Sequence, residues 1–369
     1  MKQAFIYLLF LTCILTSCNP NNNDDPADGN GGVTTVKQDK EFINAKITET
    51  LNCIDNIKDG ESVKALVNFL KLNAGEIQNE EWIETMSEAL EKTPLNNIQI
   101  DEENNYRFNF SSFTGEYSWD ANNERFNIRQ NNSSIIINFP SEPNQRKNDI
   151  RITVSKYQDK LFQVNAENIF LPTAIIANIS KDGKDIFNLN YSGNYSSVDF
   201  PTPQKVNLSI GLTPLNISLN IEQVNATKFN VELTQQSGSD CKTEIKSTIS
   251  FKNSDFKNFE ENNDLSSVTL SVARGDLSIV GMIDPQSIDD IEDPSTAQIN
   301  NAFNCEIRNK TSKIGELKFK DVNDERKVFI IYKDFTSEEV TVYTDRFLDG
   351  IEQILESYFG TIDDEEEWF

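Results

Sequence analysis

The sequence contains no histidine, and basic residues are far fewer than acidic ones. Without an imidazole, the chain cannot form a Ser-His-Asp or Cys-His catalytic site or an HExxH zinc site. The formal charge is −25, from 34 Lys and Arg against 59 Asp and Glu. This charge argues against a nucleic-acid partner, because binding to phosphates requires a basic surface. Any enzymatic chemistry would have to use carboxylates, Lys, Tyr, Cys or a bound cofactor.

Motifs that bind cofactors are also missing. The chain has no P-loop, no GxGxxG fingerprint and no EF-hand spacing, so we expect no cofactor. After the N-terminus, no segment approaches the length and apolarity of a transmembrane helix.

The N-terminal segment has the pattern of an export signal. Lys2 is followed by an apolar run from Ala4 to Leu15 that only Thr12 interrupts. The run has the length of a signal-peptide core and is too short to span a bilayer. We therefore predict a signal peptide over residues 1–17, which ends in Leu15-Thr16-Ser17 directly before Cys18.

The segment Leu15-Thr16-Ser17-Cys18 resembles the lipobox of bacterial lipoproteins, which has an aliphatic residue, two small residues and an obligatory Cys. The resemblance implies cleavage before Cys18, a thioether-linked diacylglycerol on its sulfur, and a further acyl chain such as palmitate on the new amino group. Each buried CH₂ contributes about 0.8 kcal/mol, so several chains form a near-permanent membrane anchor. The alternative is an ordinary secretory signal with an incidental cysteine.

Residues 18–35 are predicted to form a lipidated, flexible tether. The segment from Asn19 to Gly32 is polar and has almost nothing to bury, and a coil of this length spans roughly 20 Å. Asp24-Asp25 looks like a loose version of the acidic signal that carries some lipoproteins to the outer face of the outer membrane. A linker that is acidic only because it is polar explains the pair equally well. We expect an exported protein anchored to the outer membrane, with the outer surface as an open alternative.

Three cysteines remain after Cys13 leaves with the signal and Cys18 takes lipid, namely Cys53, Cys241 and Cys305. At most one internal disulfide is therefore possible in an oxidising compartment. A Cys241–Cys305 pair is one possibility. Their separations match no zinc site, and the role of a small buried apolar side chain is expected for each.

A helical unit is predicted over residues 36–95. Apolar side chains recur every three or four residues from Ile43 to Ile57, which predicts a helix from about Asp39 to Lys58. A second helix is predicted from about Ser62 to Gly75, and a third from Asn79 to just before Pro94.

From residue 96 the apolar pattern changes to a period of two. Phe187-Asn188-Leu189-Asn190-Tyr191 is typical, because apolar residues alternate with Asn or Ser. One face of the sheet is therefore expected to be apolar and the other polar. Parallel strands buried on both faces would be continuously apolar, so the pattern favours an antiparallel meander.

The fold class predicted is α+β. A large antiparallel sheet, with a curved half-barrel or a sandwich as alternatives, would have its apolar face covered by the N-terminal and C-terminal helices. The antiparallel β region spans residues 96–284. Residues 285–362 add C-terminal strands, a short helix near 295–303 and a last helix from about Asp345 to Gly360, packed on the same body. Residues 363–369 form an acidic tail.

Carboxylates are the only serious catalytic candidates. Glu116 is the first of these, because Tyr117 and Trp119 follow it on the same predicted strand and aromatic side chains stack sugars. Tyr117 and Trp119 are accordingly candidates for ligand binding. The alternative is that Glu116 is an ordinary strand glutamate.

A second candidate is an acidic cluster with the type of oxygen ligand that Ca²⁺ prefers. It comprises Asp284, Asp289, Asp290, Glu292 and Asp293. A solvated loop before a helix cap at Ser295 explains the same residues more simply. Arg274-Gly275-Asp276 spells an integrin-recognition tripeptide, but Gly-Asp is also the chemistry of a tight turn.

Three functions remain open from sequence. The first is a non-catalytic surface lipoprotein that binds a ligand, such as a glycan, or a protein partner. The second is a carrier of an apolar ligand in a half-barrel cavity, by analogy of layout alone. The third is a carboxylate-dependent hydrolase.

Overall fold

The computed structural model describes most of the chain after the predicted tether. The described residues are 34–57, 60, 80–96, 107–131, 133–141, 145–164, 167–196, 200–238, 241–259, 264–288, 291, 294–323 and 325–359. The predicted signal peptide, lipobox, second helix and acidic tail lie outside these residues. The chain divides into two compact units. We name them the terminal unit (residues 1–58 and 223–369) and the central unit (residues 59–222).

Five α-helices are present in the described residues. They are α1 Val36–Ile57, α2 Glu80–Glu91, α3 Phe110–Phe113, α4 Thr296–Ala302 and α5 Thr341–Phe359. Helix α4 begins with a capping box in which Ser295 and Gln298 satisfy each other's backbone N–H groups. Helix α5 begins before the predicted Asp345, because the Val340 carbonyl already accepts the N–H groups of Tyr343 and Thr344. Of the helices predicted as one unit over residues 36–95, α1 lies in the terminal unit and α2 lies in the central unit.

The strands belong to one mixed sheet of sixteen. They are β1 Gly115–Asp120, β2 Arg125–Arg129, β3 Ile135–Phe139, β4 Ile150–Val164, β5 Glu167–Lys181, β6 Lys184–Tyr195, β7 Pro203–Leu212, β8 Leu215–Asn225, β9 Lys228–Ser237, β10 Cys241–Phe251, β11 Leu265–Arg274, β12 Leu277–Ile283, β13 Phe303–Asn309, β14 Ser312–Val322, β15 Glu325–Tyr332 and β16 Ser337–Glu339.

From β3 to β16 the strands follow chain order, as the predicted meander requires. The prediction of a wholly antiparallel sheet is wrong at one position. Strand β1 lies between β2 and β3 and pairs with β3 in parallel. In a simple meander, β3 would pair with β2. Here the chain crosses to the other side of β1 after β2, so β3 pairs with β1 and runs parallel to it.

Predicted hairpin turns are found at their expected positions. Asp182 and Gly183 both have positive φ angles, 51° and 78°, the backbone that a two-residue hairpin turn prefers. Gly275, with φ 52°, makes the turn between β11 and β12. Arg274, before it, is only 4% exposed and donates to Thr243 Oγ1 at 3.0 Å, so the Arg-Gly-Asp tripeptide is a turn whose arginine is buried.

The core of the terminal unit joins side chains from helices and strands in one cluster. Ile43 and Ile47 of α1 and Phe347 of α5 are buried together with Leu277 and Leu317 of the strands. A cavity of about 40 Å³ lies among them, lined by residues that include Ile279, Ile307 and Ile330. Since one water needs roughly 10–15 Å³ by the same measure, this cavity has room for only about three waters.

The central unit has a smaller aromatic core. Phe113, Tyr117 and Ile135 are buried, and the Tyr117 hydroxyl donates to the Phe113 carbonyl at 2.9 Å. Phe108 stacks on Phe113 with ring centroids 5.3 Å apart and meets Tyr157 edge to face at 5.0 Å. These contacts hold the β1 end of the sheet together.

Cys53 and Cys241 are disulfide-bonded, and Cys305 is free and buried. Among the cysteines that the structure describes, each of the two is the other's only possible partner, so we infer that the bond connects α1 to the start of β10. Arg274 Nη2 lies 3.6 Å from the Cys53 sulfur. The Cys241–Cys305 pair considered from sequence is wrong. Spacing carries no information on which cysteines meet.

We expect replacement of both bonded cysteines, Cys53→Ser with Cys241→Ser, to destabilise the protein. A bond that closes a loop longer than 100 residues contributes about 4 to 5 kcal/mol by restricting the unfolded chain. Denaturant unfolding measures the change. In the double variant, a reductant should have no further effect, whereas it should lower the midpoint of the unmodified protein. An unmodified midpoint that reduction leaves unchanged would contradict the assignment.

Candidate functional site

Strands β4–β8 of the central unit carry a continuous apolar face. Paired side chains form rows across the strands, and the row at Leu189 connects Ala177, Leu189, Ile210 and Ile217. We define the apolar face by three such rows. They are Ile152, Ile179, Phe187, Leu212 and Leu215; Val154, Ala177, Leu189, Ile210 and Ile217; and Tyr157, Ile175, Tyr191, Leu208 and Leu219.

The opposite face of the same strands is polar. Its rows join Asn190, Ser209 and Ser218, and also Asn188 and Asn216 on either side of Gly211. The predicted alternation of apolar and polar faces is confirmed for these strands.

The apolar face is only half-buried. Every member of its three rows retains some solvent exposure, although Phe108 and Phe110 already pack against Tyr157 at the β4 edge. In strands β12–β14 of the terminal unit, by contrast, the inward side chains Leu277, Ile307 and Leu317 are at most 5% exposed. A contiguous apolar surface that stays partly accessible to solvent is a candidate interaction site. We therefore take the apolar face as the candidate functional site.

Two tyrosines on β6 close over a glycine at one end of the apolar face. A Cβ atom on Gly193 would lie 2.7 Å from the Tyr191 hydroxyl and 2.8 Å from the Tyr195 ring. The two hydroxyls are hydrogen-bonded to each other. A side chain at position 193 would therefore displace the two tyrosine rings from this arrangement.

The tyrosine pair retains hydrogen-bonding capacity. Two hydroxyls joined by one bond keep one O–H free to donate. Within the described residues, neither hydroxyl has another partner. Burial raises the pKa of Tyr191 well above its ordinary value, and the bond to Tyr195 raises it further, so the donor stays protonated at physiological pH.

An aromatic ring and a cation extend this end of the site. Phe162 meets Tyr195 edge to face, with ring centroids 6.0 Å apart. Lys160 Nζ lies 5.0 Å from the centroid of Phe162. In the part of the chain that the structure describes, Lys160 has no ion-pair partner. We name Tyr191, Tyr195, Phe162 and Lys160 the polar end of the apolar face.

A sequence pattern on β6 indicates part of this cluster. Tyr191-Ser192-Gly193-Asn194-Tyr195 places two tyrosines on either side of a glycine on one strand face, where aromatic rings shield strand glycines. Phe162 and Lys160 come from another strand, so their approach required the sheet topology.

Glu116 lies on the face of β1 opposite Tyr117 and Trp119. Its Oε1 accepts hydrogen bonds from Asn138 Nδ2 at 3.1 Å and from Arg151 Nη1 at 3.2 Å. Consecutive strand residues point to opposite faces, so the aromatic neighbours in sequence do not surround this carboxylate. Its described partners are an amide and a guanidinium.

Tyr117 and Trp119 are buried, at 1% and 7% exposure. Trp119 meets Phe126 edge to face at 5.3 Å. Neither ring is presented to solvent, so this geometry does not offer a platform for stacking a sugar.

Of the predicted acidic cluster, only Asp284 is described. Its backbone N–H donates to the Ala302 carbonyl at 2.8 Å, and its carbonyl accepts from Ser287 Oγ at 2.9 Å. Asp289, Asp290, Glu292 and Asp293 lie outside the described residues. Among the described residues, no group of three or more acidic or Cys side chains is placed to hold a metal ion.

A second polar cluster lies in the terminal unit around Glu338 of β16. Its Oε2 accepts from Tyr343 at 2.6 Å and Tyr332 at 2.9 Å, and its Oε1 pairs with Lys40 Nζ of α1 at 2.9 Å. Both tyrosine side chains are at most 3% exposed. The cluster joins α1, β15, β16 and α5, which indicates a structural role.

The free thiol of Cys305 does not supply a nucleophile. Burial raises its pKa to about 12, so the reactive thiolate is absent at neutral pH.

No family model, curated protein or solved structure matches the chain. None of the described helices combines the length and apolarity needed to cross a membrane.

We expect Glu338→Gln to lower the free energy of unfolding by about 1 to 3 kcal/mol at pH 7, the usual contribution of hydrogen bonds to a charged group. Burial acts to raise the pKa of Glu338, but the bonds from Tyr343, Lys40 and Tyr332 outweigh it and the pKa is lowered. The stabilisation is therefore complete above the ordinary glutamate pKa and is lost as pH falls through the folded-state value.

Urea unfolding at several pH values measures this difference. Glu325→Gln is the control, because the Glu325 side chain is 75% exposed and pairs with Lys327 at only 4.0 Å. We expect that variant to change stability by less than about 0.5 kcal/mol. Equal losses in the two variants, or a loss for Glu338→Gln that persists at low pH, would contradict the structural role.

Proposed function

We propose that this protein is a non-catalytic, exported lipoprotein that binds an apolar ligand on the apolar face of β4–β8. The observation that carries the proposal is the half-buried state of these three rows, in a protein whose strands β12–β14 bury their inward side chains. Burying such surface stabilises a complex by roughly 25 cal/mol per Å². An aliphatic ligand matches the aliphatic lining.

The proposed ligand is assigned to the central unit because the core of the terminal unit leaves little space for it. We infer that α1 and α5 cover the apolar side of their part of the sheet, since Ile43, Ile47 and Phe347 share one buried cluster with the strands. The cavity left there, about 40 Å³, is too small for an aliphatic ligand.

Two alternatives have less support. A glycan-binding surface needs presented aromatic rings, and Tyr117 and Trp119 are buried. A carboxylate-dependent hydrolase needs a pair of acids, and the described partners of Glu116 are Asn138 and Arg151.

The anchor is part of the proposal and follows from the lipobox resemblance at Cys18. Lipidation would hold the protein to the outer membrane, where apolar ligands partition. An apolar-ligand protein at that position receives or delivers its ligand at the bilayer surface.

The binding site is tested by Ile210→Asn, which places an amide in the middle of the apolar face. Leaving such a group unpaired against an apolar ligand costs about 1 to 3 kcal/mol, so we expect affinity to fall roughly 5- to 100-fold. Fluorescence titration with N-phenyl-1-naphthylamine measures it, using the mature chain with Cys18→Ala to avoid detergent.

Ser209→Asn is the matched control, because it adds the same side chain one residue away on the polar face. Circular dichroism confirms that both variants are folded at the titration temperature. No probe binding by the parent chain, or equal affinity in the two variants, would overturn the proposal.

The anchor is tested separately by Cys18→Ala in the full-length protein. Removing the sulfur removes the site of lipidation, so we expect the protein to move from the membrane fraction to the soluble fraction. Cys305→Ala keeps the lipobox and should remain in the membrane fraction. An unchanged membrane fraction for Cys18→Ala would contradict the lipobox assignment.

A further inference from the structure

The polar end of the apolar face has features that an aliphatic surface alone does not need. It carries the remaining O–H of the Tyr191–Tyr195 pair and the ammonium of Lys160. Both groups are donors, and their natural ligand is an anionic acceptor at the end of an apolar chain.

Charges beside Lys160 are already balanced. The neighbouring Asp159 carboxylate accepts both Nε and an Nη of Arg107 at 3.2 Å, and its side chain is 6% exposed. The Arg107 guanidinium also lies 5.1 Å from the Phe170 ring centroid. This pair contributes no net charge, so Lys160 leaves the polar end locally positive within a protein of charge −25.

The dimensions fit a single acyl chain. Strand β6 rises about 3.3 Å per residue, which gives about 26 Å from Phe187 to Tyr195. One leaflet of a bilayer holds its chains within about 15 Å, half of the 30 Å hydrocarbon core. The face is therefore long enough for one extended chain that starts at the tyrosine pair.

We propose that the ligand is a long-chain carboxylate, with its head group held by Lys160 and the Tyr191–Tyr195 hydroxyls and its chain lying along the apolar face. This rests on the proposed function, because it names the class of ligand for the same site. Tyr191 and Tyr195 orient the carboxylate by hydrogen bonding, and Lys160 selects its charge.

The test compares cis-parinaric acid with its methyl ester, two fluorescent ligands that share one chain and differ in head-group charge. Titrations use the mature chain with Cys18→Ala at pH 8, where the acid is ionised. We expect the acid to bind at least tenfold more tightly than the ester. Lys160→Gln should reduce that ratio to near one with little change in ester affinity.

Two further variants separate the site from the general charge of the protein. Lys156→Gln removes a cation from the same strand. Among the described residues Lys156 has no contact with Phe162 or the tyrosine pair, so the ratio should be unchanged. Lys160→Arg keeps the charge and should keep the ratio. The double variant Tyr191→Phe with Tyr195→Phe should weaken acid binding more than ester binding.

The outcomes distinguish the two proposals. Equal affinity for acid and ester in the parent chain overturns the carboxylate assignment and leaves the apolar-ligand function standing. Equal effects of Lys156→Gln and Lys160→Gln also overturn it, because the preference would then be a general field effect. Binding of neither ligand, with a dimer in size-exclusion chromatography, overturns both and identifies a second copy of the chain as the occupant.

Discussion

Strand register is the constraint on which the rest of this structure depends. Side chains alternate between the two faces of a sheet, so a slip of one residue would transfer a whole apolar row to the polar side. The pairing of Leu189 with Ile210, and of Ile210 with Ile217, places aliphatic side chains in line across strands. Tight turns such as Asp182-Gly183 fix that register, because a two-residue turn leaves no slack in the hairpin.

The two units use one pattern in different ways. In the terminal unit, helices contribute Ile47 and Phe347 to the cluster that buries Leu317 and Ile330. In the central unit, the equivalent side chains of β4–β8 remain half-buried. Burying a given area of apolar surface contributes about the same free energy in both units. The units differ in how much apolar strand surface they leave accessible to another molecule.

Local features of the fold follow from local sequence. The strands, their alternation, the turns and the ends of α1 and α2 depend on residues close together in the chain, so periodicity predicts them. The parallel pairing of β1 with β3 and the bond between Cys53 and Cys241 depend on residues that meet only after folding. No local pattern encodes them.

The candidate site likewise has features that strand alternation predicts and features that depend on contacts made only in the folded chain. Alternation placed Tyr117 and Trp119 on the apolar side of β1, but their burial depends on aromatic side chains such as Phe113 and Phe126. The same alternation already separated Glu116 from those rings, because neighbouring strand residues face opposite ways. The polar end required Phe162 of β4 to reach Tyr195 of β6, a contact across the sheet.

The edges of the sheet argue that the half-buried apolar face is retained for a purpose. Long, flat, apolar edge strands lead to aggregation, and proteins avoid them with short strands and charge. Here β16 has three residues, of which two are glutamates, and β2 carries Arg125 and Arg129 at its ends. The chain thus protects both edges against pairing with other chains.

A sequence under that selection would also be expected to replace Ile210 or Leu208 with polar residues if nothing covered them. Their neighbours Ser209 and Asn207 show that the strand accepts polar side chains. Half-buried aliphatic side chains in the middle of a sheet whose edges are protected are consistent with the proposed ligand, which would bury them further. The tyrosine pair over Gly193 would then give the proposed ligand a direction, because it supplies hydrogen-bonding groups at one end of the face.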